Sequence, residues 1–404
     1  MSPISGGAFL VAAVIKILVT FTLLMVLIAF WTLVERRVCA FIHNRLGPNR
    51  VGPQGLLQPA ADGLKNFFKE ETLPPFADQL LFLLAPMMAF VPALITFAVI
   101  PMASPVPTRW GLVTTAIADP PVGFLYILAI SSFGVYGFTM AGWSSNNKYA
   151  LLGGLRASAQ MISYEVSMGL AAVAVLVLAG NVTLPEIIQL QQRSSWFVFP
   201  LFIAFFLFLV SSYAETNRLP FDLPEAEAEL VAGYHTEYSA MKFSMFYIAE
   251  YSNMVTASAL LVTLFFGGWD LPGHWDEAPW TIGKSVATLV AFWIKTLFFL
   301  FLYIWVRWTL PRFRFDQLMD LGWKVMLPIA LGFVMVTAVG VWALDASHVG
   351  VGPKGMLILF GVNLALSALI LWQLDRRMFI GGAGVQGRVR WGAQVAARRV
   401  AEGN

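Results

Sequence analysis

The chain has one cysteine (Cys39), four histidines and only 12% charged residues in 404 positions. A lone cysteine excludes an internal disulfide and any iron–sulfur cluster held by this chain alone. His43, His235, His274 and His348 are scattered in sequence, so no metal-ligating set is expected. No glycine-rich dinucleotide or flavin fingerprint occurs. Any redox chemistry must therefore borrow its electron carriers from partner proteins. A soluble domain carries about 25% charged residues. The net charge of +3 is modest and gives no support to a nucleic-acid role.

The chain is instead 58% hydrophobic. Apolar runs at about 8–33, 79–102, 119–142, 158–180, 197–214, 240–266, 286–308, 324–345 and 355–374 are each near or above the length that crosses a hydrocarbon core, the fifth being borderline. Runs of this length exclude barrel strands and predict an all-α, polytopic transmembrane bundle of about nine spans. Residues 1–380 form this membrane domain and 381–404 a basic tail. The first span is too long for a cleaved signal peptide, lacks a basic n-region and a small-residue cleavage site, and is expected to stay in the membrane. With nine spans, twenty of the 26 lysines and arginines share one side, among them Arg36, Arg37, Arg45, Arg50, Lys242 and the six arginines from Arg376 onward. The other side receives Arg109, Arg193, Lys284 and Lys354, and Lys16 and Lys295 fall within spans. The basic side is thereby expected to be cytoplasmic, with the N-terminus outside and the C-terminus inside.

Four polar segments interrupt the apolar pattern. The first, ERRVCAFIHNRLGPNRVGPQGLLQPAADGLKNFFKEE, places Glu35 and its arginines at the membrane boundary and continues into a Gly/Pro loop. After the loop, Leu56, Leu57, Ala60, Ala61, Leu64, Phe67 and Phe68 recur at helical spacing, with Asp62, Lys65 and Lys69 opposite. This predicts a short interfacial amphipathic helix. It is either a surface anchor or one wall of a gate for a lipid-soluble ligand. The second segment, GWSSNNKYALLGGLRASAQMISYEV, reads as a tight loop around Gly153–Gly154, with Glu165 about seven residues into the next span. A carboxyl at that depth either pairs with a cation or stays protonated.

The third segment, ETNRLPFDLPEAEAELVAGYHTEYSAMKF, sets Glu215, Asp222, Glu225, Glu227, Glu229 and Glu237 against one base, Arg218, before Lys242. Glu165 and Glu250 extend the acidic series into neighbouring spans. Pro220 and Pro224 make the first part irregular. Carboxyls crowded into a partly dry site share protons, which suits a relay, whereas an ordinary solvated acidic loop is the simpler alternative. Lys295, near the middle of its span, needs a carboxylate or a water-filled cavity. The fourth segment, RWTLPRFRFDQLMDLGWKVMLP, is basic with interleaved aromatics. It reads as an anchor on the basic side, with partner docking as the alternative.

Together, in this order and spacing, the four segments and the AEY at 249–251 resemble the H subunit of proton-pumping NADH–quinone oxidoreductase, respiratory complex I. The resemblance runs from about residue 20 to 345. It implies a membrane subunit that abuts the peripheral arm, forms much of a quinone-binding chamber, and starts a chain of carboxylates leading to other membrane subunits. By position Glu165, Glu215, Glu225, Glu227, Glu229 and Glu250 match that acidic chain, while Glu35, Arg36, Arg45 and Asp62 match the chamber and its entrance. It further implies quinone as substrate, no cofactor on this chain, FMN and iron–sulfur clusters in partner subunits, and an energy-transducing inner (plasma) membrane. His43 stands where the family pattern has glutamine, DPPVG at 119–123 is proline-rich, and the ninth span and tail exceed the shortest members. Two alternatives are the related membrane anchor of an energy-converting hydrogenase and a free-standing proton-coupled transporter.

Overall fold

The computed structural model describes residues 6–108, 111–224, 231–273, 279–350, 352–370 and 372. The chain is an all-α bundle with one small hairpin. Helix α1 (Gly6–Ile42) is followed by a surface helix α2 (Gln58–Phe68) and then by α3 (Gln79–Ile95). A two-stranded hairpin, β1 (Val106–Thr108) and β2 (Gly111–Val113), precedes α4 (Gly123–Ser144) and α5 (Lys148–Ala179). Next come α6 (Leu184–Arg193), α7 (Phe202–Glu215), α8 (Ala240–Phe265) and α9 (Ile282–Thr309). The remaining helices are the short α10 (Phe315–Asp320), a π-helical stretch Leu321–Met326, α11 (Leu327–Ala346) and α12 (Pro353–Ile370). Eight helical spans among the described residues are long and apolar enough to cross a membrane, and α7 is a shorter apolar helix at the place of the borderline fifth span.

The helices follow the apolar runs, α3 even across Pro86 and Pro92, and they end on local signals. The Asn147 side chain caps the start of α5 by accepting from the Tyr149 N–H, and Gly180 ends that helix in a left-handed turn. Asp78 caps α3 through the Leu81 N–H. In α2 the apolar residues Leu64, Phe67 and Phe68 remain 59%, 67% and 79% exposed, the state of an interfacial helix whose apolar face is left for lipid. The bundle's centre is α8, whose Met254–Phe265 stretch is buried throughout.

Four local expectations change. Helix α1 runs on through Glu35 and Cys39 to Ile42, about 55 Å at 1.5 Å per residue, nine residues past the expected end of the first span. Gly153 and Gly154 lie inside α5, which starts ten residues before the expected span. Their role is close packing. A Cβ on Gly153 would meet Gly233 Cα at 2.6 Å, and one on Gly154 the Phe138 carbonyl at 2.9 Å. Glu165 is consequently 17 residues into its helix and not seven. Lys295 caps the end of α8: its Nζ donates to the carbonyls of Phe266 (2.8 Å), Gly268 (3.2 Å) and Asp270 (2.6 Å). Its ammonium also lies 4.4 Å from the Trp196 ring centroid. Backbone carbonyls at a helix C-terminus carry partial negative charge and share in holding this ammonium.

Candidate functional site

Four elements bring their polar residues together at one end of the bundle, called here the Glu35 end. Glu35 of α1 is buried. Its Oε1 meets Arg218 Nη1 at 3.2 Å and also pairs with Arg307 Nη1 from the last turn of α9. Its Oε2 accepts from Tyr251 Oη of α8 at 2.5 Å. Arg218, in the irregular segment after α7, pairs through Nε with Glu250 Oε1 at 2.6 Å, and its guanidinium lies 4.4 Å from the Tyr251 ring centroid. The two carboxylates and two guanidiniums cancel in charge, which is what permits ionised groups to be buried at all. Burial opposes the Arg218 charge, but Glu250, Tyr251 and Glu35 outweigh it and hold the guanidinium well above its ordinary value.

A hydrogen-bond path links this cluster to a lipid-facing cavity. Tyr251 Oη lies 2.9 Å from Tyr247 Oη. Tyr247 lines a cavity of about 760 Å³ between α1, α2 and α8, together with Met25, Ile28, Phe67, Arg36 and Asp62. Arg36 Nη1 and Asp62 Oδ2 are 2.5 Å apart and tie α1 to α2 across that wall. The cavity is mostly apolar with a charged edge, a form suited to a long apolar ligand bearing a polar head.

Of the acids in the long loop, Glu225, Glu227 and Glu229 lie outside the described residues. Asp222 pairs with Arg312 at 3.1 Å, and Glu237 accepts from Asn147 Nδ2 at 2.8 Å, so these two tie the loop to its neighbours. Glu215 and Glu165 face one another closely enough for their charges to repel, and neither has an ion-pair partner among the described residues. Glu215 ends α7, three residues before Arg218, and Glu165 stands on α5. Buried hydroxyls accompany them: Ser163, Ser211 and Tyr213 leave oxygens without a hydrogen-bond partner among the described residues. Arg45 stands exposed in the turn after α1 and joins neither group. His43 packs edge-on against Trp308 at 4.4 Å, and that indole donates to Cys39 Sγ at 2.7 Å.

Sequence reasoning had Arg218 as the single base of the acidic loop. It missed that Arg307, 89 residues on, shares Glu35, and that Tyr247 and Tyr251 link the cluster to the cavity. The i, i+4 spacing of the two tyrosines on α8 was the available signal. Nothing local announced Arg307.

Comparison with known proteins accords with this geometry. The family described as NADH dehydrogenase matches residues 15–338. An H subunit of NADH-quinone oxidoreductase from Koribacter versatilis is 50% identical over 350 residues, covering 83% of this chain and 98% of that protein. The H subunit of NADH-quinone oxidoreductase from Leptospira biflexa is 49% identical over 345 residues, covering 82% and 95%. NADH-ubiquinone oxidoreductase chain 1 of Chondrus crispus is 51% identical over 328 residues, covering 81% and 96%. Match and coverage together establish that this integral membrane chain belongs to the NADH dehydrogenase family, as an H subunit of NADH–quinone oxidoreductase.

Proposed function

We propose that this protein forms the membrane wall of the quinone chamber and passes the electrostatic consequence of quinone reduction into a series of carboxylates. The observation that carries the reading is the unbroken path from the cavity through Tyr247 and Tyr251 to Glu35, Arg218, Arg307 and Glu250. The tail of a quinone enters between α1, α2 and α8, with Arg36 and Asp62 at the edge and Arg45 nearby on the surface. FMN and iron–sulfur clusters in peripheral-arm subunits deliver electrons to the quinone at the junction. Reduction to quinol takes up protons and changes the charge balance beside Glu35. Because Glu35 and Glu250 share Arg218, a proton or charge arriving at one alters the pairing of the other. By sequence position Glu225, Glu227 and Glu229 belong to the same series as Glu215 and Glu165, whose lack of an ion-pair partner among the described residues suits groups that gain and lose protons. From Glu165 the change passes to neighbouring membrane subunits.

The lysine and arginine bias supports an orientation with the Glu35 end cytoplasmic, the N-terminus outside and the C-terminal tail inside, in the energy-transducing inner (plasma) membrane. The test is Glu215→Gln alone and with Glu227→Gln in the assembled enzyme. Quinone-coupled proton pumping falls while assembly persists. Normal pumping by the assembled double variant would remove the relay.

A further inference from the structure

The last two turns of α9 carry two side chains, one turn apart, that reach different parts of the candidate site. Arg307 pairs with Glu35. Tyr303, four residues earlier, is 2% exposed and packs against the last turn of α7. Its ring stacks on that of Tyr213, with centroids 4.0 Å apart and planes inclined by 27°. Its Oη donates to Ser212 Oγ at 3.2 Å and lies within hydrogen-bond reach of the Thr216 hydroxyl. Ser212 stands three residues before Glu215, and Thr216 directly after it. The same turn opens the segment that carries Arg218, whose backbone N–H donates to the Tyr213 carbonyl at 3.3 Å. The charges of Glu215 and Arg218 are both felt at the Tyr303 phenol, which therefore lies near the neutralised cluster and near the acids that lack a base among the described residues.

Packing alone does not call for that hydroxyl. Ser212 Oγ already donates to the Leu209 carbonyl at 2.7 Å, and Thr216 Oγ1 to the Ser212 carbonyl at 2.9 Å. Both α7 hydroxyls are thus satisfied within their own helix end. The Tyr303 hydroxyl adds a directional tie between α9 and α7 in an interior where such a bond is strong. We propose that Tyr303 is a positioning residue for the coupling: its hydroxyl holds the last turn of α7, and with it Glu215, in register with the Arg307–Glu35 pair. A proton reaching Glu35 weakens its hold on Arg307. Tyr303 stands on the same rigid helix one turn away, so a shift of Arg307 is passed to Ser212 and then to Glu215. This route does not pass through the acidic loop. The inference deepens the relay reading and rests on it, and coupling of this kind is established only by measuring it.

The test uses the whole assembled enzyme in liposomes, with quinone reduction and proton pumping followed together across pH. Tyr303→Phe keeps the ring and its stack and removes only the hydroxyl. Quinone reduction persists, while pumping relative to it falls about threefold or more, the scale of one lost hydrogen bond, and its pH profile shifts. Ser212→Ala breaks the same bond from α7 and lowers pumping in the same direction, so it carries the test if the first variant does not assemble. Tyr213→Phe keeps the stack and loses a hydroxyl without a partner among the described residues, and its pumping stays as in wild type. Combining Tyr303→Phe with Glu215→Gln adds little to the loss from Glu215→Gln alone, because both lie on one route. Normal pumping by Tyr303→Phe and Ser212→Ala, an equal loss in Tyr213→Phe, or losses that multiply in the double variant would overturn the inference while a loss in Glu215→Gln still upheld the relay. Normal pumping by Glu215→Gln would remove the relay and this link with it.

Discussion

At the Glu35 end, α1, α8, α9 and the segment after α7 bring two carboxylates, two guanidiniums and two tyrosines into contact. Toward the far end the same bundle closes on rings: Phe205 lies 5.7 Å from Phe265, 5.5 Å from Phe266 and 6.2 Å from Phe299, with Phe208 5.8 Å from Phe265. The cation placed there, Lys295, is met by backbone carbonyls and an indole face. One region stores mobile charge in pairs that a change in protonation can rearrange. The other holds the Lys295 ammonium against carbonyls and an indole face, beside the buried Asp270 carboxylate that accepts from Trp196 Nε1 at 2.6 Å. Function follows the first kind of construction and rigidity the second.

The largest effect is expected from Arg218→Met. It leaves Glu35 and Glu250 buried beside one remaining guanidinium, and removing one partner of a buried ion pair costs about 3–5 kcal/mol. Thermal unfolding of the purified enzyme shifts down and quinone reduction is lost. Wild-type turnover in an assembled variant would break the contrast between the two ends.

Gly153→Val follows. Its side chain meets the backbone of Gly233 and Tyr234, where nothing flexible can yield. Overpacking of this kind costs about 1–3 kcal/mol and displaces α5, which carries Glu165. Reduced stability together with weakened proton pumping is the expected result; a stability loss with pumping intact would separate α5 packing from the acidic series.

Lys295→Met tests the far end directly. It removes three hydrogen bonds to carbonyls that stay near a helix end, and each such bond is worth about 1 kcal/mol net. Stability falls, and quinone kinetics and their pH profile stay as in wild type. A shifted pH profile would mean that Lys295 exchanges charge with the acidic series after all.

The smallest effect belongs to Asp119→Asn in the proline-rich loop before α4. Partial burial and then the Glu186 charge push the Asp119 carboxyl above its ordinary value. The native state therefore holds more protons than the unfolded chain between the two values. Stability contributed by this group falls as pH rises through that interval. The asparagine variant loses this slope, seen as a slightly higher unfolding temperature at neutral pH and none at acid pH. An unchanged difference across pH would remove the assignment.

Span number, the amphipathic α2 and the irregular segment after α7 were legible in the sequence, because apolar length, helical spacing and paired prolines are local properties. Gly153–Gly154 misled: a glycine pair marks a turn or a close helix contact, and only the neighbour decides which. Of the candidate site, the structure brings Glu35 and Glu250 onto one arginine and pairs Arg36 with Asp62, Arg45 stands apart in an exposed turn, and Arg307 came only from the packing of α9 against α1.

The sequence by itself determined that this chain is apolar enough to dissolve in a bilayer, that one cysteine cannot hold an iron–sulfur cluster alone, and that acids crowd into the segment after α7. Which acids are neutralised was decided by tertiary structure. Glu35 and Glu250 share Arg218 across helices that begin or end far apart in sequence, while Glu165 and Glu215 face each other without a base among the described residues. Coulomb energy in a low-dielectric interior depends on distances of a few ångströms, and such distances between remote residues exist only once the helices have packed.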